Sequence, residues 1–517
     1  MPSSRRASLS EHSSSAADEV AAAQLPVSAR TEDDVERDAH LENEKTRQEK
    51  DVIWVEWEEN DPENPFNFSN RRKWWTTFLA TFFTAEVAAT ASAYVPGIPS
   101  MEAELGNSHI ISLLGISIYA FGFSLPPMVL APLSEVFGRN TIYIVSHLLY
   151  TVLFVALGRA PNIATVIVIR FLSGAFGSTG STMVGGSLAD IWQSHERGLP
   201  MALFATAAIF GTGVGPVWAG WVEQNPNLGW RWIQYLQAIY TGAFFFVLLF
   251  GLKETRGSVL LTRRAKRLRK ETGDQRYRAR AEAERASVAV LVTHSLTRPI
   301  KMLFTEPIVT AFSLWVAFLW GFMYMLLESI GLVTQLHNFT PGQTGLVFLS
   351  ICGAAILGNA LNPLQEYMYK KHVGKRGPEA RLYSACAAAP LFPIGAFIYG
   401  WTAYSHVSIA GPVVGITLLM TSVYQVYLSC FLYLSDSYGP YASSALAAQS
   451  FARNLAGTAF PLFCEQMYHR LGYQWASTLA GLLGAVLGIA PFVLFFKGPQ
   501  IRARSKLSVE LARLGLL

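Results

Sequence analysis

Several ionisable side chains stand inside long apolar stretches, where a charge is costly. They are Glu86, His147, Arg170, Glu328 and Arg453. In hydrocarbon such a group marks a place where a proton, an ion or a cargo binds, unless a neighbouring helix satisfies it. Both readings apply to Glu86: a proton or cargo carboxylate, or a protonated carboxyl hydrogen-bonded to the next helix. Tyr324 and Glu328 lie four residues apart, so they share one helix face. Glu328 is either an interfacial carboxylate or a cavity residue that binds a proton or a cationic substrate. Arg453 and Asn454 lie midway along their stretch. A buried arginine needs a carboxylate or carbonyls, or it knits two helices together. His147, alone among Ser and Leu, reads as a hydrogen-bonded helix contact rather than a proton carrier.

Other chemistries lack their residues. The phosphate-binding pattern G-x-x-x-x-G-K-[ST] does not occur, so ATP does not drive this chain. No metal-ligand cluster or nucleophile–base constellation is apparent, so no enzyme, metal or cofactor is expected. Cys352, Cys386, Cys430 and Cys464 fall in separate stretches and read as small buried apolar residues.

The elements that hold these residues are membrane spans. The 517-residue chain is 51% hydrophobic and 15% charged, well below the charged share of soluble domains. Its apolar residues cluster into twelve candidate spans, starting near Trp75, Ile110, Thr141, Ile163, Met201, Trp232, Ile308, Thr344, Leu382, Ser408, Ser443 and Ala476. Most run about twenty residues, enough to cross a bilayer. With the N-terminus in the cytoplasm, outer loops hold only Arg159, Arg231 and Arg470. The loop after span eight holds Lys370, Lys371, Lys375, Arg376 and Arg381. The positive-inside rule puts both termini in the cytoplasm. The net charge of +5 is therefore topological, and no nucleic acid partner is implied.

The chain divides into a polar N-terminal tail (1–70), six spans (71–252), a basic loop (253–302), six spans (303–497) and a C-terminal tail (498–517). The tail reads as disordered. The loop reads as a cytoplasmic helix near the anionic leaflet. Arg71, Arg72, Lys73, Trp74 and Trp75 anchor the first span at the interface. Gly229-Trp230-Arg231-Trp232 does so for span six, with a cation stacked on indole. The halves echo one another. Pro132-Leu133-Ser134-Glu135 and Pro363-Leu364-Gln365-Glu366 close spans two and eight, while Asp190 and Asp436 end spans four and ten. That is the pattern of two halves related by a pseudo-two-fold axis. Asn338-Phe339-Thr340 is a glycosylation sequon in an outer loop.

Motifs sharpen the reading. GTGVGPVWAG in span five, with Gly211, Gly215, Pro216 and Gly220, resembles the antiporter motif of drug:proton antiporters of the major facilitator superfamily. Ala219 departs from it. RFLSGAFGS resembles the fourth-helix signature, with Arg170 as its buried basic residue. APLSEVFGRN resembles the superfamily's gating loop. Leu133, Ser134, Gly138 and Arg139 match, Glu135 stands for the usual aspartate, and Ala131 for a glycine. Asp61-Pro62-Glu63-Asn64-Pro65, FTEPIVTAF and LYLSDSYGPYASSALAAQSFARN resemble segments of the fungal branch, and the likeness runs from about Asp61 to Lys506.

The resemblance implies a twelve-helix, all-α transporter whose two six-helix bundles rock about a central cavity. It implies proton-coupled export of small amphipathic compounds such as drugs, polyamines or secondary metabolites. Glu86 and Glu328 would couple proton and substrate, with Arg170 as charge partner. Glu135 would pair with Arg139 or face a helix end of the other half. Span five would form a close-packed, kinked surface between the halves. The chain would work as a monomer, multi-pass in the plasma membrane. Two alternatives are a proton symporter or facilitator for a nutrient or organic acid, and a transporter-like sensor.

Overall fold

The computed structural model describes residues 52–193, 196–283, 288–503 and 505. It falls into two compact units, Met1–Glu56 with Leu261–Glu284, and Trp57–Leu260 with Arg285–Leu517.

The smaller unit holds a feature the sequence reading left out. Strand β1 (Ile53–Trp54) pairs in parallel with β2 (Tyr277–Arg278), Ile53 opposite Tyr277. Val55, Ala265 and Ala279 bury a small core beside it, and Arg280 pairs with Glu56 at 2.8 Å. The described part of the expected tail is thus ordered from Ile53 onward. Its partner lies over two hundred residues away, beyond the reach of local pattern. The rest of that tail, residues 1–51, lies outside the described residues, as does most of the C-terminal tail.

The larger unit is helical. Among the described residues, ten helical runs are long and apolar enough to cross a membrane. Spans one to six are Asn70–Leu105, His109–Phe137, Arg139–Gly158, Ile163–Ile191, Gly198–Gln224 and Gly229–Gly251. Span seven is Pro307–Gln335 and span ten Ala410–Tyr438. The run Pro341–Trp401 holds two crossings, parted by a 3-10 turn at Gly377–Leu382 that becomes helical again at Tyr383. Helix Ala442–Ala459 fails the apolar criterion because it carries Arg453 and Asn454. With the start of helix Pro461–Leu487 it makes span eleven. That helix breaks at Gly472, whose φ of 79° is left-handed, and its second part with Ala490–Arg502 makes span twelve. The twelve crossings form the two six-helix bundles of the expected fold. Large apolar side chains such as Phe250, Phe496, Val486 and Ile239 are exposed, as lipid-facing positions must be.

Caps and breaks follow local chemistry. Ser69 Oγ accepts the Arg72 N–H, and Thr340 with Gln343 forms a capping box. Span two breaks between Gly122 and Pro126, where the Pro126-Pro127 pair lacks the backbone donors a continuous helix needs. The basic loop yields helices Gly257–Thr272 and Val288–Thr305, the second exposing Val290, Ile300 and Phe304.

Candidate functional site

The two carboxylates singled out within the spans, Glu86 and Glu328, each lie beside an imidazole. Glu86 Oε2 lies 3.2 Å from His147 Nε2, and neither side chain is exposed. The His147 ring packs against Phe83, Phe244, Phe245 and Tyr150. Glu86 Oε1 has no hydrogen-bond partner among the described residues. Spans one, three and six build this pocket, all in the N-terminal half. His147 is thus the hydrogen-bonded helix contact the sequence suggested, and its partner is the carboxylate singled out separately.

Glu328 is arranged differently. Its Oε1 lies 3.0 Å from His109 Nε2, at the start of span two. His109 Nδ1 lies 2.9 Å from Glu102 Oε1, and Glu465 Oε2 is 4.0 Å from Nε2. His469 follows Glu465 at 3.7 Å. One imidazole from the N-terminal half therefore meets carboxylates of both halves. Tyr324, one turn before Glu328, has no contact with His109 among the described residues; its ring lies against Gly457 of helix Ala442–Ala459.

Arg170 is not the charge partner of either glutamate. Its Nε donates to the Gly115 carbonyl at 3.0 Å and Nη1 to that of Thr90 at 3.5 Å. The guanidinium lies over the rings of Tyr94 and Tyr119 at 4.5 and 4.2 Å. Carbonyls and aromatic faces stabilise it, because the helices rotate both carboxylates toward histidines instead. Arg453 lies over Trp320 at 4.4 Å and Tyr427 at 5.0 Å. Its neighbour Asn454 donates from Nδ2 to the Phe123 carbonyl at 2.7 Å, joining span eleven to span two.

Between spans two and three the loop that resembles a gating loop is built around Arg139, not Glu135. Gly138, with φ of 99°, turns the chain so that an added Cβ there would strike Glu254. Glu254 caps the next helix, accepting the Arg139 N–H at 3.0 Å. Arg139 Nε meets Asp190 at 3.1 Å and Nη1 donates to Ser134 Oγ at 2.6 Å. Glu135 is half exposed, 3.8 Å from Arg139 and 3.7 Å from Arg256. It faces no helix end of the other half. Arg256 reaches Asp190 at 3.0 Å. Burial opposes its charge, yet Asp190 and Glu135 outweigh that and hold its pKa above the ordinary value. Leu133 is half buried beside Ser134.

The C-terminal half repeats the device. Arg381 meets Glu366 and Asp436, each at 2.9 Å, and lies 3.4 Å over the Tyr369 ring. The four-residue echoes in sequence mark equivalent clusters, and Arg381 does the work of Arg139 without sharing its motif.

Span five divides its glycines between two neighbours. A Cβ at Gly211 would fall on the Ala85 carbonyl oxygen, and one at Gly215 on that of Ala89. Both belong to span one of the same half. This corrects the expectation that the whole motif faces the other half. The face toward span eight is made by Gly213, where an added Cβ would fall 2.6 Å from Cys352 Sγ, and by Gly220, where one would strike the Pro341 carbonyl. Pro216 stays inside one continuous helix, its carbonyl against Gly345. Asn338 is exposed, with φ of 55°, at the end of span seven.

The family model described as Major Facilitator Superfamily matches residues 77–461. The chain belongs to the major facilitator superfamily. It is 36% identical over 469 residues to an MFS-type efflux pump of Trichophyton rubrum, covering 89% of this chain and 78% of that one. It is 34% identical to a multidrug transporter of Aspergillus fumigatus (89% and 77%) and 33% identical to an efflux pump of Floropilus chiversii (90% and 87%). Among solved structures it is similar to the human organic anion transporter MFSD10, with TM-score 0.57 at 17% identity, covering 81% of this chain and 99% of that one. The Escherichia coli xylose transporter XylE, in a partially occluded inward-open state, gives 0.58 at 16% (81% and 99%). These structures establish the fold and nothing of the cargo. The chain is thus a multi-pass membrane transporter, not an enzyme, and the three relatives above are named as efflux pumps and a multidrug transporter.

Sequence reasoning missed His109, Glu102, Glu465, Arg256 and Arg381, and gave Asp190 only as an echo. His109 sits at a span's first residue, where hydropathy sets no alarm. The others lie in loops or helix ends and are recruited only by folding.

Proposed function

We propose that this transporter exports small amphipathic compounds in exchange for protons, by alternating access, as a monomer in the plasma membrane with both termini cytoplasmic. The observation that carries this reading is the contact of His109 with Glu328 across the two halves at their outer ends. An ionised Glu328 against a protonated imidazole would favour the closed outer side. A proton taken up by Glu328 from outside removes that attraction and leaves Glu102 to hold His109 in its own half. The outer ends then part, and the proton's binding energy biases the two-state equilibrium. Asn454, next to Arg453, also joins the halves through the Phe123 carbonyl. The cytoplasmic clusters around Arg139 and Arg381 brace the inner ends of each half. The test is efflux from loaded proteoliposomes with the proton gradient intact and then collapsed. Proton coupling requires efflux to stop on collapse; unchanged efflux refutes it.

A further inference from the structure

We infer that the cargo carries an anionic group, a carboxylate on an aromatic or otherwise apolar body, received by the guanidinium of Arg453 with Arg170 as the second positive charge. The inference rests on the transport reading above and narrows its cargo.

Arg453 is 5% exposed and Arg170 is 0% exposed. Arg453 Nε and Arg170 Nη2 are buried donors with no hydrogen-bond partner among the described residues. Apart from the rings, Arg453 has only Ser450 Oγ, at 3.3 Å from Nη2. No described carboxylate is within ion-pair distance of either guanidinium; Glu86 and Glu328 are committed to His147 and His109. A buried charge left without a counter-charge is destabilising, and it persists where a charged ligand completes it. Guanidinium nitrogens bind carboxylate in a two-pronged geometry.

The position suits a cargo. Asn454, adjacent to Arg453, ties span eleven to span two across the seam that must open. Gln449, one turn earlier on the same helix, also has a buried Nε2 without a partner, adding a donor. The ring of Tyr119, over which Arg170 lies, packs at 5.2 Å on Phe123, whose carbonyl accepts from Asn454 beside Arg453, so the two arginines border one region. The body of the ligand would meet flat aromatic surface: Trp320 and Tyr427 stack at 5.2 Å, and Tyr427 leads through Phe431 to Phe204 of the other half. A cation, polyamines included, would meet two like charges here, and no free carboxylate.

The test uses the full-length protein in detergent with three probes of one shape: 2-naphthoate, 2-naphthamide and 2-naphthylmethylamine. Equilibrium binding is read by ligand-induced thermal stabilisation. The acid should bind at least tenfold more tightly than the amide, and the amine most weakly. Arg453→Gln should weaken the acid at least tenfold and leave the amide unchanged, while Arg453→Lys recovers part of the acid's affinity. Equal affinity for acid and amide, preference for the amine, or an unchanged acid affinity in a folded Arg453→Gln protein would overturn the inference. If Arg453→Gln does not fold, the wild-type ratio of acid to amide and the lysine variant still decide. Binding needs no gradient, so a lost acid preference refutes the cargo class alone. Gradient-independent efflux of a bound acid refutes the coupling alone.

Discussion

Glu86 and Glu328 each face an imidazole, and the two pairs sit in different mechanical places. Glu86 and His147 belong to one half, sealed by phenylalanines, with no exposure of either side chain. Glu328 and His109 belong to opposite halves, and the imidazole side chain is 33% exposed. When the halves move as bodies, the first pair travels intact and the second is made or broken. Equal chemistry therefore has unequal consequence. A contact inside a bundle adds stability, and a contact across the seam shifts the balance between states.

The strongest way to break the contrast is Glu86→Ala. It strands His147 in an apolar pocket, and leaving a buried polar group without its hydrogen-bond partner costs about 1–3 kcal/mol. We expect loss of surface abundance and a lower melting temperature in the purified protein. Normal abundance with altered pH dependence of efflux would place Glu86 with the moving contacts. Glu328→Gln should act oppositely. Abundance stays normal while gradient-driven efflux falls roughly tenfold or more, as for a coupling energy of about 1–3 kcal/mol. Because glutamine mimics the protonated acid, efflux should also stop responding to external pH, which a pH series in proteoliposomes will read.

The glycines of span five sharpen the same contrast with packing instead of charge. Gly215→Leu would press on span one within its half, and overpacking costs typically about 1–3 kcal/mol. Its expected signature is reduced abundance. Gly213→Leu would press on Cys352 of span eight, so efflux should fall at near-normal abundance. Surface labelling and efflux in the same cells separate the two. The smallest effect belongs to Glu135→Gln. Its contacts with Arg139 and Arg256 are long and half exposed, worth at most about 1 kcal/mol. Turnover should drop slightly and equally for every substrate; a change confined to one substrate would tie the loop to cargo choice.

Much of the architecture was legible. Apolar runs of bilayer length located the spans. The gating loop was legible as a place, through its glycine and arginine, but its strongest partner was not. Arg139 chose Asp190 over Glu135 because a contact four residues away on a turn is longer than one delivered by a neighbouring helix. The antiporter-like helix was legible as a bare-backbone surface. Which glycine meets which neighbour depends on helix rotation, which spacing alone leaves open.

The sequence by itself determined that this chain spans a membrane twelve times in two related halves and carries a handful of charges in hydrocarbon. Those properties come from local hydropathy and composition, which need no partner to be expressed. Only the tertiary structure decided who meets whom: Glu86 with His147, Glu328 with His109, Arg170 and Arg453 with aromatic rings and no carboxylate. The physical reason is that lipid offers no alternative partner for a polar group, so each must be satisfied by another helix. Residues tens to hundreds of positions apart then compete for that role, and helix packing settles it.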